Sequence, residues 1–331
     1  MAQSAQRPAP SPSRARRAAD SGPASSSFFF NGHAPRRRAL VGVVAALFGF
    51  ALTVVWSAQF VDRTIGDNVA DTLLGHAAKG TPIAGALAGL AFALATGVAG
   101  TFTACNVAVF SAVAPLTGGP AATRRGRMAA ALRPLSRLAL GAVTVSAVYG
   151  AVVSLAGTGM PQFDDSQGGQ FSGRLVQAMV VYGLIGLLMT YLGLAALGVV
   201  RDPLARLSRR FPGAPMYFMG GLIGAFLIGR PFPLFRQLFR DAAQSHNPLY
   251  GAAAFGLQSI GNITVMSVLF LLVAGLFGER LHRWTARRPS RASVLMATGF
   301  LAAGVFLILY WDVRILAVRE LIWYPMAPWA A

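Results

Sequence analysis

Apolar stretches alternate with short charged or Pro- and Gly-rich segments along the chain from residue 39 to residue 311. Several of these stretches reach the roughly 20 residues that an α-helix needs to cross a bilayer. The fifth stretch is the shortest, but keeping it as a span leaves every strongly basic loop on the same side of the membrane. The pattern predicts an all-α, polytopic membrane protein with about seven transmembrane helices, near 39–60, 83–117, 135–157, 175–200, 215–230, 249–277 and 292–311.

Composition agrees with a membrane protein. Of the 331 residues, 55% are hydrophobic and 12% are charged, and the mean hydropathy is +0.55. These values are unusual for soluble domains, so we expect the lipid bilayer to be the main partner. Residues 1–38 are rich in Ala, Pro, Ser and Arg and predict a disordered, basic cytoplasmic tail. Residues 39–318 form the predicted transmembrane domain, and 319–331 an extracytoplasmic tail.

The formal net charge of +18 has a distribution that orients the chain. Arginines collect before the first span and in three of the predicted loops, namely at positions 36–38, at 124, 125, 127, 133 and 137, at 201, 206, 209 and 210, and at 280, 283, 287, 288 and 291. Loops with this excess stay in the cytoplasm. We therefore expect a plasma-membrane protein with a cytoplasmic N-terminus and an extracytoplasmic C-terminus, and no nucleic-acid partner.

The segment that follows the short fifth span mixes Arg with Phe, in "RPFPLFRQLFRD". Phe235 and Phe239 fall on one face of a helix, and Arg236 and Arg240 fall on the other. This pattern predicts an amphipathic helix at the membrane interface. Arg230, Arg236 and Arg240 are candidate contacts for an anionic solute or a lipid headgroup.

Two distant segments resemble each other: "GTFTACNVAVFSAV" from Gly100 and "GLQSIGNITVMSVL" from Gly256. Each keeps an Asn in an apolar run, Asn106 in the first and Asn262 in the second. Flanking similarities extend the match, so that spans one to three correspond to spans five to seven. The sequence thus predicts a 3+1+3 internal repeat in parallel orientation, a layout known in transporters.

The polar residues of the two segments need partners, because hydrocarbon offers none. One explanation is helix packing, with small residues such as Gly97, Gly100, Gly256 and Gly261 allowing close approach and an Asn adding an interhelical hydrogen bond. The other is a pair of discontinuous helices that line a solute path near the midplane. For that path the candidate residues are Thr103, Cys105, Asn106, Gly261, Asn262 and Thr264.

Catalytic chemistry is not indicated. The four histidines lie in predicted tails or loops, and the chain contains neither a nucleotide-binding loop nor a dinucleotide fingerprint. No acidic residue falls at the middle of a predicted span, so proton coupling has no obvious carrier. A single cysteine, Cys105, excludes an intrachain disulfide. We expect no enzyme activity, no metal site and no cofactor.

The stretch "GLAFALATGVAGTFTACNVAVFSAVAPL" resembles the first core helix of the cytochrome c biogenesis transmembrane proteins, of the CcdA/DsbD type within the LysE-like group. "YGLIGLLMTYLGLAALGVV" is similar to their third core helix. The resemblance implies a related scaffold but does not carry the redox activity over, and Cys105 is expected to be a small packed apolar residue. In that family two cysteines, one per repeat, relay reducing equivalents. Here the position that matches Cys105 in the second copy is Gly261, and Pro does not follow Cys105 closely.

The sequence therefore favours a transporter of a small solute or ion, with a cavity between two repeats. Two alternatives remain open. The first is a thiol-redox or cytochrome c maturation protein in which Cys105 works with the cysteine of a partner. The second is a membrane scaffold whose basic loops bind proteins or anionic lipid.

Overall fold

The computed structural model describes residues 29, 32–57, 59–79, 81–102, 123–164, 171–230, 233–288 and 290–330. Within these ranges the chain is helical and contains no strand. The α-helices are α1 (Arg38–Val55), α2 (Asn68–Leu74), α3 (Ala86–Ala99), α4 (Arg124–Ala156), α5 (Gly173–Ala196), α6 (Ala205–Arg210), α7 (Ala214–Ala225), α8 (Pro233–Ser245), α9 (Pro248–Ala286), α10 (Ser290–Ile308) and α11 (Arg314–Val318). Short 3₁₀ turns follow α3 and α4, and π-helical segments lie at Gln59–Asp67 and Leu309–Val313.

Five helical stretches are long and apolar enough to cross a membrane: Arg38–Val55, Met128–Gly159, Gly173–Ala196, Pro248–Ala286 and Ser290–Val318. The predicted all-α class is confirmed for the described residues, and the five long apolar helices are consistent with a multi-pass membrane protein. The seven spans and the internal repeat stay predictions. Helices α3 and α7 are apolar but shorter, with 14 and 12 residues. At 1.5 Å per residue they span about 21 and 18 Å, less than the roughly 30 Å of a hydrocarbon core.

Several predicted boundaries need correction, because helices continue past their apolar parts. Thr123 caps α4, its side chain accepting a hydrogen bond from the Gly126 amide at 3.1 Å, so the arginines from Arg124 to Arg137 lie on a helix instead of in a loop. In the same way Arg280 and Arg283 belong to α9. The outer loop predicted after the first span also contains helix, including α2. A helix of 33 residues, as in α4, is about 50 Å long and exceeds the bilayer.

The helices pack in two rows. In one row α9 lies between α3 and α4, and α7 packs on the far side of α4; in the other, α10 lies between α1 and α5. Helices α3 and α9 run parallel, as do α1 and α10, whereas α4 is antiparallel to α9, as α5 is to α10. The ends of the helices that carry Arg38, Arg124 and Arg291 therefore lie together, and we call this end of the molecule the basic end.

Helices α7 and α8 follow one another along α4. Near the basic end, Gly220 of α7 packs on the Leu138 carbonyl, and Gly224 packs on Ala142. Further along, the Phe239 ring of α8 lies 6.1 Å from that of Tyr149. The chain thus runs along α4 as two half-length helices that are separated by residues 226–232. Residue Arg230 lies in this break.

The apolar face of α8 is buried in protein. Leu234, Phe235, Leu238 and Phe239 are at most 1% exposed, and they pack in a core with α3 and the outer halves of α4 and α9. The helix is therefore amphipathic, as the sequence predicts. Its apolar face, however, packs on neighbouring helices and does not face the membrane interface, which is where the sequence predicts it. A second core joins α5, α7 and α10 at the other end of α4.

Both terminal segments contact the helices. Phe29, in the predicted disordered tail, is fully buried with its ring edge-to-face on Phe300 at 5.6 Å. At the other terminus Ala327 donates a backbone hydrogen bond of 3.0 Å to Val54. Buried Arg314 donates to the carbonyl oxygens of Thr53 and Trp56, at 2.9 and 2.8 Å, and also to that of Ala330. Arg314 thus ties the C-terminal segment to the end of α1.

Candidate functional site

Helices α3 and α9 touch backbone to backbone at a single crossing. An ideal Cβ on Gly97 would lie 2.1 Å from the carbonyl oxygen of Gln258, and one on Gly261 would lie 2.6 Å from the carbonyl oxygen of Leu94. The two contacts are reciprocal, since each glycine admits the backbone of the other helix. Close approach through small residues is a common way for membrane helices to associate.

Polar groups gather at this crossing. Thr101 donates from its hydroxyl to the Asn262 carbonyl at 3.2 Å and to the Gly97 carbonyl at 3.4 Å. Asn262 and Ser259 are 6% and 2% exposed. Gln258 is fully buried, and neither its amide oxygen nor its amide nitrogen has a hydrogen-bond partner among the described residues. An unpaired buried amide costs about 1–3 kcal/mol, so Gln258 is retained against a local penalty.

The crossing lies deep along α9. Gln258 is ten residues from Pro248, the first residue of α9, which corresponds to about 15 Å of helix. This depth is about half of a hydrocarbon core of roughly 30 Å. Helix α3 ends close by at Ala99 and passes into the 3₁₀ turn Gly100–Phe102. One half-length helix therefore ends where α9 is at its most buried.

Arg230 contacts the end of α3. Its Nη2 donates a 2.8 Å hydrogen bond to the Gly100 carbonyl, and its guanidinium lies 4.2 Å from the centre of the Phe235 ring. A Cβ at Gly100 would lie 2.6 Å from Phe235 Cζ and 3.2 Å from both terminal nitrogens of Arg230. Glycine at position 100 is thus what allows the guanidinium and the ring to reach the helix end.

The groups around Arg230 balance its positive charge only in part. The C-terminus of α3 carries a partial negative charge, which a cation stabilises. In the described part of the chain, the half-buried Arg230 forms no ion pair and makes only this hydrogen bond and the ring contact. The first turn of α8, three residues further along the chain, adds the partial positive charge of a helix N-terminus. A full positive charge is therefore held at a half-buried position, with only partial charges of the helix ends beside it.

The predicted path residues divide into three groups. Gly261 and Asn262 lie at the crossing, as described. Thr264 does not: it is exposed, and its hydroxyl donates to the Ile260 carbonyl at 2.7 Å. Two residues along a helix rotate the side chain by about 200°, so Thr264 points away from Asn262. Thr103, Cys105 and Asn106 lie outside the described residues, and the predicted proximity of Asn106 to Asn262 stays a prediction.

Helix continuity also differs between the two similar segments. The first segment begins as the 3₁₀ turn Gly100–Phe102 that follows α3, and its residues from Thr103 onward lie outside the described residues, whereas α9 runs unbroken through Asn262 from Pro248 to Ala286. A break at Asn262, one of the two explanations for the paired amides, does not occur. The second interrupted segment is α7–α8 instead. A Gly-Arg pair at the end of the shortest apolar span, followed by Pro on both sides of Phe232, is the sequence signal that marks this break.

The other two candidate arginines lie further from the crossing. Arg236 and Arg240 line a cleft of about 480 Å³ together with Asp241 of α8 and with Pro82 and Ile83. Gln237 links the same walls by donating to the Thr81 carbonyl at 2.7 Å. The carboxylate of Asp241 accepts a hydrogen bond from the Tyr250 hydroxyl. This cleft lies at the end of the molecule away from the basic end, and it is polar and mixed in charge.

Metal ligands do not cluster in the described ranges, where no group of three His, Cys, Asp or Glu side chains could hold an ion. The prediction that the whole chain lacks metal, cofactor and enzyme activity stays a prediction. Comparisons of the chain with protein-family models, curated proteins and solved structures give no match. The resemblance to cytochrome c biogenesis proteins thus remains a hypothesis based on two stretches of sequence.

Proposed function

We propose that this protein carries a small solute or ion across the plasma membrane, with a small anion as the favoured class. The path runs between the end of α3, the α7–α8 break and α9. In this proposal seven segments cross the membrane, the basic end is cytoplasmic and the C-terminus is extracytoplasmic. Transporters of several folds bind their solutes where interrupted helices meet near the midplane.

The seven-crossing topology is supported by the lengths and directions of the half-length helices. Helices α7 and α8 contain 12 and 13 residues, and together they span about 38 Å, enough for the roughly 30 Å hydrocarbon core. Both run along α4 in the same direction. The chain enters α3 at the end of the molecule away from the basic end, and it enters α4 at the capped start of that helix, at the basic end.

A pair of matching contacts supports the 3+1+3 repeat. If spans one to three correspond to spans five to seven, α1 is the counterpart of α7 and α10 is the counterpart of α4. The contact between α1 and α10 should then resemble the contact between α7 and α4. A Cβ on Gly224 of α7 would lie 2.6 Å from the Ala142 carbonyl and 3.0 Å from Val145 Cβ. A Cβ on Gly49 of α1 would lie 2.6 Å from the Ala302 carbonyl and 3.1 Å from Val305 Cβ. Both helix pairs are parallel and use a Gly against Ala-x-x-Val.

The surroundings of Arg230 are the main evidence for an anion as the solute. A charge that is partly removed from water is costly unless it is paired, and the end of α3 offers the half-buried Arg230 only a partial charge. A small anion at the break would complete the compensation. The buried, unpaired Gln258 amide on the neighbouring helix would give a partly dehydrated solute a hydrogen-bonding group.

The proposal is tested with purified protein in sealed proteoliposomes. Uptake of chloride, acetate and inorganic phosphate is measured beside potassium and glycerol, for the wild type and for Arg230→Gln. We expect uptake of at least one anion above protein-free vesicles, and its loss in Arg230→Gln. Arg319→Gln is the matched control, because Arg319 is exposed and lies in the C-terminal segment.

Two results would contradict carriage of an anion: no anion flux above protein-free vesicles, or the same flux in Arg230→Gln and wild type. If flux is absent and substitutions of the arginines at the basic end impair growth or partner binding, a scaffold role takes its place. If a mixed disulfide forms between Cys105 and a partner protein, the thiol-redox role replaces anion carriage.

A further inference from the structure

A second concave surface lies at the basic end, on the outer side of the α4–α7 pair. It is a groove with a volume of about 790 Å³, within the range of about 300–1,000 Å³ that is usual for small-molecule sites. Its walls are mostly apolar. One wall is formed by Val145 of α4, and the other by Tyr217, Phe218 and Leu222 of α7.

Gly221 forms the floor of the groove. A Cβ at this position would meet only Val145 Cγ2, at 3.5 Å, as its nearest neighbour. The absence of a side chain at position 221 therefore leaves a channel between the two helices, and no neighbouring backbone fills it. Tyr217, four residues earlier on the same face of α7, is 42% exposed, so the channel opens to the surroundings of the bundle.

One end of the groove is positively charged. Arg137 closes it toward the basic end, with its Nη1 2.9 Å from the ideal Cβ position of Gly213. In the described ranges the exposed Arg137 side chain makes no hydrogen bond and no ion pair. A second guanidinium, that of Arg210, lies 5.7 Å from the ring centre of Phe211, which lines the groove. The residues that line the groove include no acid.

The spacing along α4 matches the two parts of a lipid. Arg137 and Val145 are eight residues apart, about 12 Å along the helix. A phosphate at Arg137 would thus place an acyl chain beside Val145, Gly221 and Leu222, in the apolar part of the bundle. Basic pockets between membrane helices on the cytoplasmic side bind anionic headgroups, and the arginine fork suits a phosphate.

We propose that this groove is a binding site for one anionic phospholipid of the cytoplasmic leaflet, with its phosphate on Arg137 and Arg210 and one acyl chain over Gly221. The groove lies on the face of α7 away from the α3–α9 crossing. The proposal of a lipid site and the proposal of anion transport can therefore be tested independently of each other.

The experiment is native mass spectrometry of the full-length protein in a mild detergent, titrated with phosphatidylglycerol or with phosphatidylcholine of the same acyl chains. We expect one phosphatidylglycerol to remain bound more tightly than phosphatidylcholine. Arg137→Gln should weaken phosphatidylglycerol binding about fivefold, the factor that corresponds to about 1 kcal/mol for one basic side chain. Phosphatidylcholine binding should not change.

Arg133→Gln is the matched control, since Arg133 is exposed on the same helix one turn away and does not line the groove. Gly221→Leu should fill the channel and weaken both lipids, and its elution as a monodisperse peak shows that it has folded. Equal binding of the two lipids by wild type, or equal phosphatidylglycerol binding by the Arg137 and Arg133 variants, overturns the site.

Discussion

The carbonyl oxygen of Gln258 occupies the space where a side chain on Gly97 would begin, 2.1 Å from the ideal Cβ position. The contact fixes α3 against α9, and it recurs in reverse at Gly261. It is therefore the point at which the stability of the candidate site is most directly tested.

Gly97→Ala should destabilise the folded protein, because a methyl group at this position meets backbone that cannot move aside. Overpacking of this kind typically costs about 1–3 kcal/mol. The free energy of unfolding is measured by denaturant titration of the purified protein in detergent. Gly256→Ala is the control: its nearest neighbour would be Val143 Cγ1 at 3.7 Å, an ordinary contact. Equal stability of the two variants would disprove the close crossing.

Gln258→Met should raise stability and lower anion flux. Replacement of an unpaired buried amide by an apolar side chain of similar length removes a desolvation penalty of about 1–3 kcal/mol. The same change removes the group that we propose to form a hydrogen bond with the solute, so anion flux should fall. Residues at functional sites often lower stability in this way in exchange for activity. Melting temperature and proteoliposome uptake are measured on the same preparation.

Thr264→Val provides the comparison for Gln258→Met. Thr264 is exposed and bonded within its own helix, so both melting temperature and uptake should stay at wild-type values. Loss of uptake in Thr264→Val would show that Thr264 lines the solute path after all. Unchanged uptake in Gln258→Met would show that Gln258 does not contact the solute.

Arg314→Leu should release the C-terminal segment. Its guanidinium joins the end of α1 to Ala330 through three carbonyl oxygens, and hydrogen bonds from charged groups contribute about 1.5–3 kcal/mol each. We expect a lower melting temperature and faster removal of residues 321–331 by carboxypeptidase. Arg319→Leu, at an exposed position, should behave like wild type. Equal digestion of both variants would show that Arg314 does not hold the segment.

Accessibility of single cysteines tests the seven crossings. In a Cys105→Ala background, cysteines at His76 and Trp323 should react with a membrane-impermeant maleimide added to intact cells, whereas a cysteine at Arg209 should react only after lysis. All three positions are exposed. If only the five long helices crossed, the segment between α5 and α9 would lie outside, and Arg209→Cys would react in intact cells.

The Cys105→Ala background itself separates transport from thiol chemistry. Cys105 is the only cysteine of the chain, so a relay of reducing equivalents would depend on it completely. We expect anion uptake to remain within about twofold of wild type, since a cysteine that takes no part in thiol chemistry behaves as a small apolar side chain. Complete loss of function in Cys105→Ala, with normal folding, would favour the redox role.

The sequence by itself determined the class of the molecule. Apolar length and the scarcity of charge predict membrane helices because a bilayer leaves few other ways to satisfy the backbone. The same local pattern located the short span before Arg230, the amphipathic pattern of α8 and the small and polar residues at Gly97, Gln258 and Asn262. It overestimated the symmetry, since α9 continues without a break through Asn262.

Only the tertiary structure decided how these pieces meet. Hydropathy carries no information on which helix faces which, so the neighbours of Gly100 and Gly261 could not be read from the chain. Residues 130 positions apart form the Arg230–Gly100 contact, and its existence depends on the packing of α3 against α8 and α9. Long-range pairing of this kind arises from the shapes of whole helices, because small residues at separate positions must come into register before two backbones can touch.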